Sequence, residues 1–130
     1  MFRRAIVLRC PLCGGRRTFI RKWMLRYERC RTCGVRWHRE HGFELGPIAL
    51  NIVFTFFLLA VSMAVAFAAT APNFPVAALT AGLMAGAVIF PVLLSPFANT
   101  LWMAFDLLSH PPDARELAEA SAAVAVTVAD

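Results

Sequence analysis

From Leu45 to Phe105 the chain contains no Asp, Glu, Lys, Arg or His, a gap of 61 residues in a protein of 130. No soluble domain of this length is expected to run so far without charge, and 59% apolar side chains with a mean hydropathy of +0.63 point the same way. Also missing is a short apolar core directly behind the first few charges. The first apolar stretch starts far from Met1, after an arginine-rich module, so no cleaved signal peptide is expected. There is no nucleophile with a nearby base, no glycine-rich phosphate loop and no charge inside the apolar run. The first two absences argue against an enzyme, and the third against a proton or ion path.

The charges that are present are sorted by sign. Twelve of the 13 Lys and Arg residues lie between Arg3 and Arg39, and only Arg115 follows. Residues 1–44 carry +9 and the segment after residue 105 carries −4, so the net +5 conceals two oppositely charged ends. Crossing a hydrocarbon core of about 30 Å takes about 20 helical residues. Ile48 to Ala69 and Val76 to Leu94 both qualify. Between them Ala71-Pro72-Asn73-Phe74-Pro75 combines two prolines with asparagine, which predicts a tight reversal and hence a helical hairpin. Basic flanks stay on the cytoplasmic side, so both termini are expected inside.

Within the hairpin, Ala78, Gly82 and Gly86 recur at helical spacing, as do Ala60, Ala64 and Ala68. Such stripes let backbones approach closely where lipid offers no hydrophobic drive. The expectation is that the two stripes face each other, with a homodimer through Gly82 and Gly86 as the sharper alternative. Asn51 is expected to bond across to the neighbouring helix. After Pro96 the segment to His110 places Phe97, Leu101, Trp102, Phe105 and Leu108 on one face, which predicts an interfacial helix with Trp102 at headgroup level. Its alternative is continuation of the second span. Pro111-Pro112 ends it, and the tail at 113–130 is expected to be flexible and acidic.

Cys10-Pro-Leu-Cys13-Gly14 and Cys30-Arg-Thr-Cys33-Gly34 are two copies of one knuckle, with sixteen residues between Cys13 and Cys30. This is the spacing of four-thiolate zinc sites: each pair sets two sulfurs on one ion, and the following glycine lets the backbone fold back. A cytoplasmic setting disfavours disulfides. Zinc held by Cys10, Cys13, Cys30 and Cys33 is the first expectation, with iron in a rubredoxin-like centre as its competitor. Thr-, Phe-, Leu- and Tyr-rich stretches at Arg16 to Ile20 and Met24 to Arg29 read as strands, with a third at Val35 to Trp37. His38 and His41, with Glu40 and Glu44, invite a second metal site, but a full four-thiolate shell makes solvent-side histidines the better reading.

The fold expected is thus a small zinc-ribbon β module followed by an α-helical two-span transmembrane hairpin. Its zones are a ribbon at 1–44, spans within 45–96, an interfacial or extended helix at 97–112 and the tail. The order CPLCGG, CRTCG, HGFELGPIALN and LWMAFDLL before Pro111 resembles the bacterial membrane family called domain of unknown function 983, over about Cys10 to Pro112. The resemblance implies a place in the bacterial cytoplasmic (inner) membrane. Some relatives look to be encoded near cytochrome oxidase assembly genes, which implies an accessory role in building respiratory complexes.

Three functions compete at this stage. The first is a non-catalytic adaptor or assembly factor with a membrane protein partner. The second is a membrane-tethered nucleic-acid binder using the arginines around the ribbon. The third is a rubredoxin-like iron or copper-handling redox protein. For the arginines, topology and attraction to an anionic lipid surface are preferred over nucleic acid.

Overall fold

A computed structural model describes residues 1–16, 20–22, 25–39 and 42–129, with side chains left aside at 20–22, 25–26 and 126–129. Two long helices, α2 (Leu45–Thr70) and α3 (Val76–Ser109), run antiparallel and are joined through the expected turn at 71–75. Short helix α1 (Phe2–Ile6) precedes them, and α4 (Ala114–Ala129) follows. Both α2, of 26 residues, and α3, of 34, are long and apolar enough to cross a membrane. Their large side chains point outward: Phe56 is 68% exposed and Val88 69%. That is the reverse of a soluble core helix and suits a lipid surround. Asn51 meets its expectation, its Nδ2 donating to the Pro91 carbonyl of α3 at 3.0 Å.

The facing of the small-residue stripes is corrected. Ala78, Gly82 and Gly86 do turn toward α2, but across a cleft of about 270 Å³ whose other wall includes Leu59, Ser62, Met63 and Ala66. Ala60, Ala64 and Ala68 are exposed on another side. The larger Leu59 and Met63 hold the helices apart there, and a Cβ at Gly82 would meet nothing. Close approach occurs instead at Gly46, whose backbone rests on the Trp102 indole so that a Cβ would overlap it.

No separate interfacial helix forms after Pro96. The α3 backbone stays helical through Pro91 and Pro96 to Ser109, which is the continuation alternative. The helix is about 50 Å long at about 1.5 Å per residue, more than a bilayer core requires. The surplus has a use. The expected face of Phe105 and Leu108 is exposed, whereas Met103, Ala104 and Leu107 on the other side are buried. Met103 and Leu107 share one core with Val35, Trp37, Phe43, Cys10 and Cys30, which joins the cysteine module to the end of α3. The Trp37 and Phe43 rings meet edge-on at 6.1 Å.

Regular β structure among the described residues is slight. Strands β1 (Ile20–Lys22) and β2 (Leu25–Arg26) pair antiparallel with a register irregularity. The third strand expected at Val35 to Trp37 is a single bridge between Arg29 and Arg36, made by the bonds from Cys30 N–H to the Val35 carbonyl and from Trp37 N–H to the Glu28 carbonyl. Parts of the other expected strands, at 17–19 and 23–24, lie outside the described residues.

The flexible tail is also corrected. Asp113 Oδ1 accepts the Glu116 N–H at 2.7 Å, capping α4 directly after the two prolines. Asp113-Ala-Arg-Glu116 is a capping signature that was legible in the sequence. The helix then crosses the second knuckle, where Gly34, at φ +72°, lies so close to the Ala120 carbonyl that a Cβ would overlap it.

Arg39 fastens these parts. Its guanidinium, 9% exposed, reaches Asp106 Oδ2 at 2.9 Å, the His110 carbonyl at 2.7 Å and both Glu116 oxygens at 2.7 and 2.8 Å. The Glu116 hydrogen bond, outweighing desolvation and helped by Asp106, holds the group charged more firmly than an ordinary arginine. Replacing Arg39 by Ala strands two carboxylates at a largely buried site, at a cost of about 3 kcal/mol. Limited proteolysis of the R39A protein should therefore cleave α4 much faster than in the native chain while α2 and α3 stay protected.

Candidate metal centre

The two knuckles fold alike. Gly14 N–H returns to the Cys10 carbonyl at 2.8 Å, and Gly34 N–H to the Cys30 carbonyl at 2.8 Å. Cys10 N–H reaches the Gly15 carbonyl at 3.1 Å, and Cys30 N–H the Val35 carbonyl at 2.9 Å. Both glycines have positive φ, +76° and +72°, which a side chain would strain. An arginine ties each turn: Arg4 donates to the Leu12 carbonyl at 3.0 Å and Arg29 to the Gly34 carbonyl at 3.3 Å.

The turns bring the four sulfurs together. Cys10 and Cys33 are 3.8 Å apart, Cys13 and Cys30 likewise, and all four Sγ atoms lie within 4.8 Å of one another. A disulfide needs about 2.05 Å. A tetrahedral ion with bonds of about 2.3 Å sets its sulfurs about 3.8 Å apart, so the cluster fits one metal ion held by four thiolates. Cys10 and Cys30 are buried, Cys33 is half-buried and Cys13 is exposed. The Gly15 N–H points at Cys13 Sγ from 3.4 Å.

Without an ion the thiols work against one another. Hydrogen bonds with Cys30 and Cys33, together with burial, push the Cys10 thiol far up. The same contacts, from Cys10 first and then Cys33, draw Cys30 well down as the thiolate that accepts them. For Cys33 the bond with Cys10 lowers, but Cys30 and burial win and the thiol is pushed up to about 12.

Expected second-site residues are placed elsewhere or lie outside the described residues. His38 Nε2 pairs with Glu44 Oε1 at 2.8 Å and sits beside the Phe43 ring, away from any metal cluster among the described residues. His41 and Glu40 are outside them. Arg39, which anchors the site to α3 and α4, carried no local motif, and its partners stand 67 and 77 residues further along the chain.

A family model described as "Protein of unknown function (DUF983)" matches residues 20–106. The chain belongs to this family. The match takes in the second knuckle, α2 and nearly all of α3, and leaves α1, the first knuckle and α4 outside. No curated protein and no solved structure matches the chain.

Metal binding must expel protons, two at least from Cys10 and Cys33. Apparent affinity for a divalent ion should therefore rise with pH, about 100-fold per unit for two protons. Chelator competition at several pH values measures that slope. If about 10 kcal/mol or more is shared among four ligands, losing one costs about 3 kcal/mol, and Cys30→Ser should weaken the affinity by about 100-fold in the same assay.

Proposed function

We propose that the chain is a non-catalytic membrane adaptor or assembly factor of the bacterial inner membrane, with a structural zinc ribbon as its docking module. The observation that carries this reading is the rigid seat of the module. Trp37 shares one buried core with Met103 and Leu107, and Arg39 binds α3 and α4, so a four-cysteine knob is held in fixed orientation at one end of an apolar hairpin. Its first knuckle, with Cys13 exposed, is left open to a partner. Zinc suits such a role because it brings no redox chemistry and holds a small module folded. The sign of the flanking charges supports a cytoplasmic placement of the knob and of both termini.

The nucleic-acid reading is weaker because several arginines are already engaged. Arg4 and Arg29 bind knuckle carbonyls, Arg31 lies 5.6 Å from the Tyr27 ring centre and Arg39 is locked in its ion pairs. For the partner, the family resemblance favours a respiratory oxidase in assembly. Affinity purification in mild detergent, with mass spectrometry, tests the adaptor role against a Cys10→Ser, Cys30→Ser variant. Membrane-complex subunits should be recovered with the native protein and lost with the variant. The same subunits recovered from both would refute a docking role for the module, and iron in place of zinc on elemental analysis would refute the structural-zinc assignment.

A further inference from the structure

Helix α1 is the part of the chain whose exposed surface the hairpin and the metal centre leave unexplained. It buries Ala5 against α3, and the Thr100 hydroxyl binds the Ala5 carbonyl at 2.9 Å. Depth follows from neighbouring contacts. Trp102, half a turn past Thr100, lies against Gly46 in the first turn of α2, so α1 sits beside the hairpin where the charge-free run begins. It cannot stand clear in the cytoplasm. There it presents Phe2, 45% exposed, Ile6, 57%, and Val7, 60%. These extend the exposed apolar belt of Leu45 and Ile48 at the same end of the spans.

The charges beside this apolar face are all of one sign. Arg3 is exposed next to Phe2, and Arg9 and Arg16 are opposed in one antiparallel bridge. Like charges set directly opposite each other repel, and an anion beside them would relieve that. Among the described residues no carboxylate pairs with Arg3, Arg9 or Arg16. Leu8, which turns the chain from α1 toward the first knuckle, has φ 54°, a left-handed conformation that a bulky residue keeps only where its surroundings hold it. The chain therefore accepts backbone strain in the link between α1 and the first knuckle.

We propose that α1 is a third membrane contact, an interfacial anchor that seats Phe2, Ile6 and Val7 at the boundary of headgroups and acyl chains while Arg3, Arg9 and Arg16 bind the phosphates of anionic phospholipids. An apolar face flanked by arginines at the bilayer edge is the chemistry of such anchors. The anchor is also tied to the first knuckle, since Arg4 of α1 binds the Leu12 carbonyl. This inference rests on the reading of α2 and α3 as membrane spans.

Photocrosslinking in the full chain tests both ideas separately. The protein is reconstituted in vesicles of phosphatidylcholine, with or without phosphatidylglycerol, carrying p-benzoylphenylalanine at Phe2 or, in a second preparation, at the exposed mid-helix Phe56. The Phe56 probe should label lipid equally in both vesicles. The Phe2 probe should label lipid severalfold more with phosphatidylglycerol present, and Arg9→Gln with Arg16→Gln should remove that difference. Labelling of lipid from Phe56 but not from Phe2, or crosslinks from Phe2 to protein alone, would overturn the anchor and leave the spans intact. Equal Phe2 labelling in both vesicles would overturn the phosphate contacts, and no lipid labelling from Phe56 would overturn the membrane reading and the anchor with it.

Discussion

The cysteine module has too little apolar surface to fold by itself. The end of α3 supplies part of what is missing, lending Met103 and Leu107 to a core shared with Val35, Trp37 and Phe43, and a metal ion held by the four cysteines would supply more. Much of the architecture follows from this loan. The second long helix must extend past the first to reach the module, which accounts for its 34 residues against the 26 of α2. Its proline-containing stretch must stay helical, because a break before Met103 would separate the two halves of the core. Gly46 lets Trp102 lie flat on α2 and so sets how the lending helix meets its neighbour.

Charge is handled by the same economy. Arg39 is brought to a largely buried position, where an unpaired guanidinium would be costly to desolvate. Asp106, the His110 carbonyl and Glu116 between them give it four acceptor contacts. The basic first segment and the acidic last one are thereby joined, since one residue of the first is neutralised by two of the last. That pairing draws α4 over the second knuckle. Two turns of nearly identical backbone thus end in different surroundings at their second cysteine, Cys33 half-buried and Cys13 exposed, while Cys10 and Cys30 are both buried. An asymmetric knob of this kind can have one face for its own membrane helices and one for a partner, and the adaptor reading draws on that division.

The two long apolar helices, the turn between them and the cluster of four cysteines were legible because each rests on a local pattern. An uncharged run of membrane length, prolines beside asparagine, and paired cysteines followed by glycine each have few physical outcomes. The cap of α4 was equally local, in Asp113 and Glu116, but an Ala/Val-rich tail masked it. The misplaced alanine stripe shows the limit of periodicity. Spacing puts Ala60, Ala64 and Ala68 on one face of α2 without saying which face meets α3, and the bulk of Leu59 and Met63 decides how close the helices come.

By itself, then, the sequence determined that the chain carries an apolar hairpin and a four-sulfur cluster, since chain length against bilayer thickness and ligand spacing around an ion are short-range constraints. Only the tertiary structure decided that these are one unit. What joins them, the core shared by Trp37, Met103 and Leu107 and the contacts of Arg39 with Asp106 and Glu116, Gly34 with Ala120 and Ala5 with Thr100, links residues dozens of positions apart and leaves no periodic mark along the chain. Their energy comes from burying surfaces that neither part could cover alone.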